Sequence, residues 1–397
     1  MTADPNRAQA RSMLALIAIC ELLGMSLWFT ASAGSKQLGE LWQLSTGEAA
    51  WLTMAVQLGF VVGTALAALL NLADVVSSKL YFTVSGILAA LANAALLIAP
   101  GYTTCLILRL LTGVFLAGVY PPAMKMAATW FRSARGLAIG TVVGALIVGK
   151  ATPYLILAFD DRFATVVLLS SGGAVLGSVL MLLFYQDGPF AFSRQPFSWQ
   201  LAAVSWRHRE TRLAIGGYVG HMWELYAMWT WVPAFLVASF AAYETRTGET
   251  LGPWVSGFVA FGTIAAGGAG SLWGGAVADR IGRARVVNLS MAISGVCCLL
   301  VGFVFGAHPA VVVPLVLIWG FFVVSDSAQF SALVTEVAPD HAVGTALTLQ
   351  TSVGFLLTLV TIQAVPLIED ALGWTWAFPM LAIGPALGIA AIQRLAR

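Results

Sequence analysis

Apolar runs long enough to cross a bilayer recur from one end of this chain to the other, and that recurrence leaves few folds open. A hydrocarbon core about 30 Å thick takes about 20 helical residues to cross. Runs of that order lie near residues 13–34, 50–71, 80–100, 103–128, 136–158 and 163–184, then near 214–241, 253–276, 286–306, 310–335, 343–366 and 371–392. The stretches between them are too short or too apolar for a soluble domain. Only 10% of the 397 residues are charged, against roughly 25% in an ordinary soluble domain. Lipid offers the backbone no hydrogen-bond partner, so spanning segments must be helices or closed barrels, and runs of this length read as helices. The expected fold class is an all-α membrane protein with twelve transmembrane helices.

The N-terminal stretch leads into an apolar run that continues to Ala33 without a small-residue cleavage site at signal-peptide length, so it is expected to remain as the first span. Of the 20 lysines and arginines, Lys36, Arg162 and Arg246 fall on one side of the membrane, Arg109 and Lys150 fall inside runs, and the other fifteen fall on the side of the N-terminus. The excess of basic residues in cytoplasmic segments places both termini in the cytoplasm, in a cell whose expected membrane is the bacterial inner membrane. Cys20, Cys105, Cys297 and Cys298 all lie in apolar runs, at spacings of neither a disulfide framework nor a metal knuckle. No metal and no cofactor is expected. The longest polar stretch, "YQDGPFAFSRQPFSWQLAAVSWRHRETR", lies near the midpoint. It divides the chain into an N-terminal bundle, residues 1–185, a cytoplasmic linker, 186–212, and a C-terminal bundle, 213–397.

The two halves resemble each other. Sliding the chain by 203 positions lays "CELLGMSLW" over "WELYAMWTW", so that Glu21 meets Glu224, Met25 meets Met228 and Trp28 meets Trp231. The same offset lays Trp51 on Trp254 and Gly59 on Gly262, and an offset of 205 lays Asp74 on Asp279. Each half holds an even number of spans and starts on the same side, so the repeat is parallel, with a pseudo-two-fold axis along the membrane normal.

At this point the sequence resembles the major facilitator superfamily. The segment "GGAVADRIGRARVV" matches that family's cytoplasmic signature through Gly275, Asp279, Arg280, Gly282, Arg283 and Arg285. Its counterpart "NLADVVSSKLYF" keeps Asp74 and Lys79 but lacks the arginine after the aspartate. "RLLTGVF" resembles the family's arginine-glycine pattern through Arg109 and Gly113, and "GTVVGALIVGKATP" a glycine-proline pattern of some exporters. The resemblance implies two six-helix bundles that alternate access to a central cavity lined mainly by the first, fourth, seventh and tenth spans. It also implies gating at the cytoplasmic face by Asp74, Asp279, Arg280 and Arg283. Because this fold carries many kinds of solute, the resemblance names no substrate.

An ionisable side chain at the bilayer centre costs at least about 2.5 to 3.5 kcal/mol on insertion scales. Six groups nonetheless stand inside spans: Glu21, Arg109, Lys150, His221, Glu224 and Asp326. Four of them, Glu21, Arg109, Glu224 and Asp326, come one each from the spans that the resemblance assigns to the cavity. His221 and Glu224 are three apart and share a helix face, which Met228 continues. The expected proton-coupling groups are therefore Glu224, His221, Glu21, Asp326 and Arg109. Substrate contacts are expected from Glu21, Arg109, Lys150, Trp28, Glu224, Met228, Trp231, Asp326 and Gln329. Structural alternatives stay open: a bond from His221 to Glu224 or a neighbouring carbonyl, ion pairs of Arg109 and Lys150 with Glu21, and an outward reach of Lys150 toward the interface.

No Gly-rich phosphate loop ending in Lys and Ser or Thr is present, which points to ion-gradient energy. The function expected is proton-coupled secondary transport of a small organic solute, symport or antiport, with an anion slightly favoured. Export of cationic or drug-like compounds is the alternative, prompted by the acidic groups and tryptophans. An integral membrane enzyme would need a nucleophile, acid and base grouped near an interface, and only Asp340 and His341 stand at such a place. The expected partners are substrate, protons and lipid, without nucleic acid, in a monomer.

Overall fold

The computed structural model describes residues 5–70, 72–131, 135–190 and 199–396. Twelve helices among them are long and apolar enough to cross a membrane. They are α1 (Arg7–Met25), α2 (Thr46–Leu69), α3 (Ser78–Ile98), α4 (Tyr102–Trp130), α5 (Gly136–Phe159), α6 (Phe163–Phe184), α7 (Arg209–Thr247), α8 (Val255–Ile281), α9 (Arg283–Val304), α10 (Pro309–Val337), α11 (Val343–Leu372) and α12 (Trp374–Leu395). The described residues contain no strand, so the protein is all-α with twelve spans. Within the segment 186–212, a short helix covers Trp199–Arg207 and α7 already begins at Arg209, while residues 191–198 lie outside the description. The chain divides into two compact units, Met1–Gln43 with Trp51–Pro196, and Leu44–Ala50 with Phe197–Arg397.

Several spans are not continuous α-helix, and three of the interruptions bear on the site. The first apolar run extends to Ala33 in sequence, but α1 stops at Met25, turns through 26–29 and resumes as Thr30–Ala33. Inside α4 the helix breaks between Leu116 and Tyr120, ahead of Pro121 and Pro122, and inside α10 it breaks at Asp326. A break at membrane depth leaves backbone groups to be satisfied by neighbours, and these breaks are where the polar side chains gather.

Packing inside each unit relies on glycines that let backbones touch. In the first unit a Cβ on Gly113 of α4 would strike the Val56 carbonyl of α2, and one on Gly63 would strike the Val114 carbonyl. In the second unit Gly320 of α10 stands in the same way against the Thr263 carbonyl of α8, and Gly270 against that of Phe321. All four residues of the second set lie 207 positions after their counterparts. The two segments of α4 begin at Tyr102 and Tyr120 and those of α10 at Pro309 and Ser327, again 207 apart.

The register on the first span of each half differs from the one expected. Gly177 of α6 abuts the Cys20 carbonyl and Leu23, whereas Gly384 of α12 abuts the Gly220 carbonyl and Trp223. The glycines are 207 apart, but the residues they touch are 200 apart. Glu21 therefore corresponds in packing to His221, and Trp28 to Met228. The 203 offset, which pairs Glu21 with Glu224 and Trp28 with Trp231, is displaced by three residues, close to one helical turn. Leu, Met and Trp on both helices produce a plausible match at either register, and only contacts with the neighbouring helices distinguish them.

Candidate functional site

Each unit buries its own cluster of ionisable groups, and the two clusters are built differently.

In the first unit, Arg109 on α4 is fully buried, and its guanidinium is turned toward the break after α1. Its Nη1 donates to the Leu27 carbonyl at 2.9 Å and to Asn93 Oδ1 at 3.3 Å, its Nη2 donates to the Trp28 carbonyl, and its Nε donates to the Leu52 carbonyl at 3.2 Å. Asn93 is itself held by α6, donating to Ser171 Oγ at 3.0 Å. An arginine carries five N–H donors in a rigid fork, and here that fork satisfies carbonyls at a break in α1 and ties α1, α2 and α3 to α4. The donors of Arg109, expected to serve substrate binding and coupling, are engaged by three backbone carbonyls and Asn93.

Lys150 on α5 is 2% exposed, and its Nζ stands 3.7 Å above the centroid of the Trp28 ring. A desolvated contact of this kind contributes about 2 kcal/mol. Trp28 is fully buried and meets Phe60 edge-on, with centroids 5.3 Å apart. The approach of α5 to α1 is set next to Lys150, where a Cβ on Gly149 would strike the Leu22 carbonyl. Glu21 is fully buried and lies in the electrostatic field of Lys150 and of Tyr120 on α4. Among the described residues neither oxygen of Glu21 has a hydrogen-bond partner. A charged carboxylate in that condition is expensive.

Glu224, in the second unit, is the opposite case. Its Oε1 accepts from Trp319 Nε1 at 2.5 Å and from Cys298 Sγ at 3.1 Å, and its Oε2 accepts from Ser294 Oγ at 2.9 Å. The three donors come from α9 and α10, so Glu224 closes a seam between α7, α9 and α10. His221 does not pair with it, although the two share a helix face. His221 Nδ1 lies 3.0 Å from Asp326 Oδ1, off the hydrogen-bond direction, and its Nε2 is 2.8 Å from Ser327 Oγ. The imidazole packs beside Phe330, with ring centroids 5.3 Å apart, and beside Tyr218 at 6.0 Å. Both side chains of the His221–Asp326 pair are 2% exposed. Asp326 sits at the break in α10, where the chain direction aims it across at α7.

Other residues expected at the site are engaged elsewhere. Gln329 is 2% exposed and accepts from Arg283 Nη1 at 2.9 Å, while Arg283 Nε bonds Glu336 Oε1 at 2.6 Å. Gln329, expected to contact substrate, thus braces the α8–α9 turn through Arg283. Arg283, expected to gate, is tied into its own unit by the same bonds. Trp231 donates from Nε1 to the Ile362 carbonyl at 2.8 Å, and Met228 is fully buried. Asp279 and Arg280 are exposed beside the turn that carries Gly282, and the side chain of Asp74 lies outside the described residues. Sequence reasoning missed Ser294, Cys298 and Trp319. Their one signal is a serine and a cysteine four apart on one face of α9.

The fold and these buried ionisable groups define a multi-pass membrane protein built from a repeated six-helix unit. The family model of the Major Facilitator Superfamily matches residues 14–362, and the chain belongs to that superfamily; it is a membrane transporter, whose surroundings are the bilayer and a small-molecule substrate. A search of the curated proteins finds none that matches.

Proposed function

We propose that the protein is a proton-coupled secondary transporter that moves a small organic solute, preferentially an anion, by alternating access. The observation that carries this reading is that each unit buries an acidic group beside a basic one, Glu21 with Lys150 and Asp326 with His221. Ion pairs buried in lipid-embedded helices are costly to keep for stability alone. His221 Nδ1 stands 3.0 Å from Asp326 Oδ1 with both side chains 2% exposed, so the pair suits a proton that is taken up and released in each cycle. Glu224 and Arg109 hold helices together in this reading and carry no proton. The charge asymmetry of the loops supports cytoplasmic termini in a bacterial inner membrane, and the protein acts as a monomer.

The reading is tested in proteoliposomes with a pH dye trapped inside and a panel of small anions, cations and neutral solutes outside. The wild type should move protons only when a transported solute is present. His221→Gln and Asp326→Asn should lower the number of protons moved per solute while solute exchange at equal concentrations persists. Solute uptake against a gradient with no accompanying proton movement would sink the proposal.

A further inference from the structure

We propose that Lys150, Tyr154 and the Trp28 ring form the binding site for a small organic monocarboxylate, with Glu21 taking up one proton for each anion bound. This inference rests on the proton-coupled reading above and adds the substrate class and its stoichiometry.

Lys150 and Tyr154 are four apart on α5 and share a face. Tyr154 is 3% exposed and its hydroxyl has no partner among the described residues. Its ring lies beside Phe29, with centroids 6.1 Å apart, one residue along from the Trp28 ring under Lys150. The face thus presents an ammonium, an unengaged hydroxyl and aromatic surface. A carboxylate on an apolar body matches those three features. A cationic solute fits poorly, because the face of Trp28 already carries the Lys150 ammonium.

Charge balance supplies the coupling. Lys150 and Glu21 together sum to zero, and both are buried. Adding an anion to Lys150 would leave one net negative charge away from water, which is strongly unfavourable. A proton from the same aqueous side, bound to a Glu21 oxygen, restores neutrality, and both leave together on the other side. Neither oxygen of Glu21 has a hydrogen-bond partner among the described residues, so that O–H displaces no bond. The groups around Glu21 are few. Lys150 faces it from α5, Tyr120 faces it from α4 with Lys125 five residues on, and Cys20 adjoins it on α1, while Tyr154 stands in the field of Arg109. The helix α6 contains no titratable residue, and Arg109 is taken up by carbonyls.

The test uses the full-length protein in detergent, with thermal stabilisation by acetate, lactate and benzoate, and by benzamide and benzylammonium as neutral and cationic counterparts of benzoate. At least one carboxylate should stabilise the wild type, with apparent affinity falling about tenfold per pH unit once Glu21 has lost its proton. Lys150→Met should abolish that binding, and Glu21→Gln should keep it while removing its pH dependence. Tyr154→Phe, a milder change, should weaken binding several-fold and leave the pH dependence in place. The inference is overturned if no carboxylate binds, if benzylammonium or benzamide binds while the carboxylates do not, or if Lys150→Met binds as the wild type does. Carboxylate binding with this pattern, but without proton movement in vesicles, would instead overturn the transport reading and leave the site standing.

Discussion

Glu21 and Glu224 occupy look-alike stretches of the two halves, and both are buried, yet one carboxylate is bare and the other is bonded at both oxygens. Three donors from α9 and α10 close on Glu224, whereas no donor among the described residues reaches Glu21. A buried carboxylate with both oxygens engaged is a structural joint, and a buried one left open is a place where something else can bind. Among the basic groups, Arg109 is bonded to four acceptors, and Lys150 lies over the Trp28 ring.

The contrast can be broken most forcefully at Arg109. Its removal leaves the Leu27 and Trp28 carbonyls and Asn93 Oδ1 without that donor, each at about 1 to 3 kcal/mol. Arg109→Ala should therefore cost roughly 3 kcal/mol or more and sharply lower the thermal midpoint in detergent. Arg109→Lys should recover only part of it, since an ammonium lacks the planar fork. A stable Arg109→Ala protein that had merely lost solute binding would return this residue to the transport machinery.

At Glu224 the effect should be smaller and again on stability. Glu224→Ala strands the Trp319, Cys298 and Ser294 donors and is expected to cost about 1 to 3 kcal/mol. Glu224→Gln keeps an acceptor, should cost less, and should retain proton-driven uptake. Loss of that uptake in a well-folded Glu224→Gln protein would erase the distinction drawn between the two carboxylates.

Glu21→Gln should barely lower the thermal midpoint, because no hydrogen bond is lost, and should flatten the pH dependence of uptake. A large drop in midpoint would mark Glu21 as a joint after all.

The smallest effect is expected outside the membrane helices. Arg162 donates to both Asp160 oxygens, with Nη2 at 2.6 Å, and Thr165 adds a bond at 2.9 Å. These bonds hold the Asp160 carboxyl well below the usual carboxylate range. A depressed folded-state value contributes stability that is present above the unfolded-state value near 4 and lost as pH falls through the folded one. Asp160→Asn should therefore lower the thermal midpoint slightly and evenly from neutral to mildly acidic pH, and the difference should close only in strong acid. A difference that vanished near neutrality would show the loop bonds to be inconsequential.

Much of the fold was legible from sequence because span length and apolarity are local properties that lipid enforces on each run separately. The second half of the site was less legible. The three-residue spacing of His221 and Glu224 correctly set them on one face, but it could not tell that α10 breaks at Asp326 and draws His221 away. The match of "CELLGMSLW" with "WELYAMWTW" was real in composition and wrong in register, since apolar residues tolerate a shift of about one turn without penalty in lipid.

The sequence by itself determined the twelve helices, the superfamily signature and the list of ionisable residues that the membrane must accommodate. Only the tertiary structure decided which of them are joints and which are open. That choice depends on hydrogen-bond donors brought from other helices, over distances of about 3 Å, and no pattern within a single helix records which neighbour will arrive.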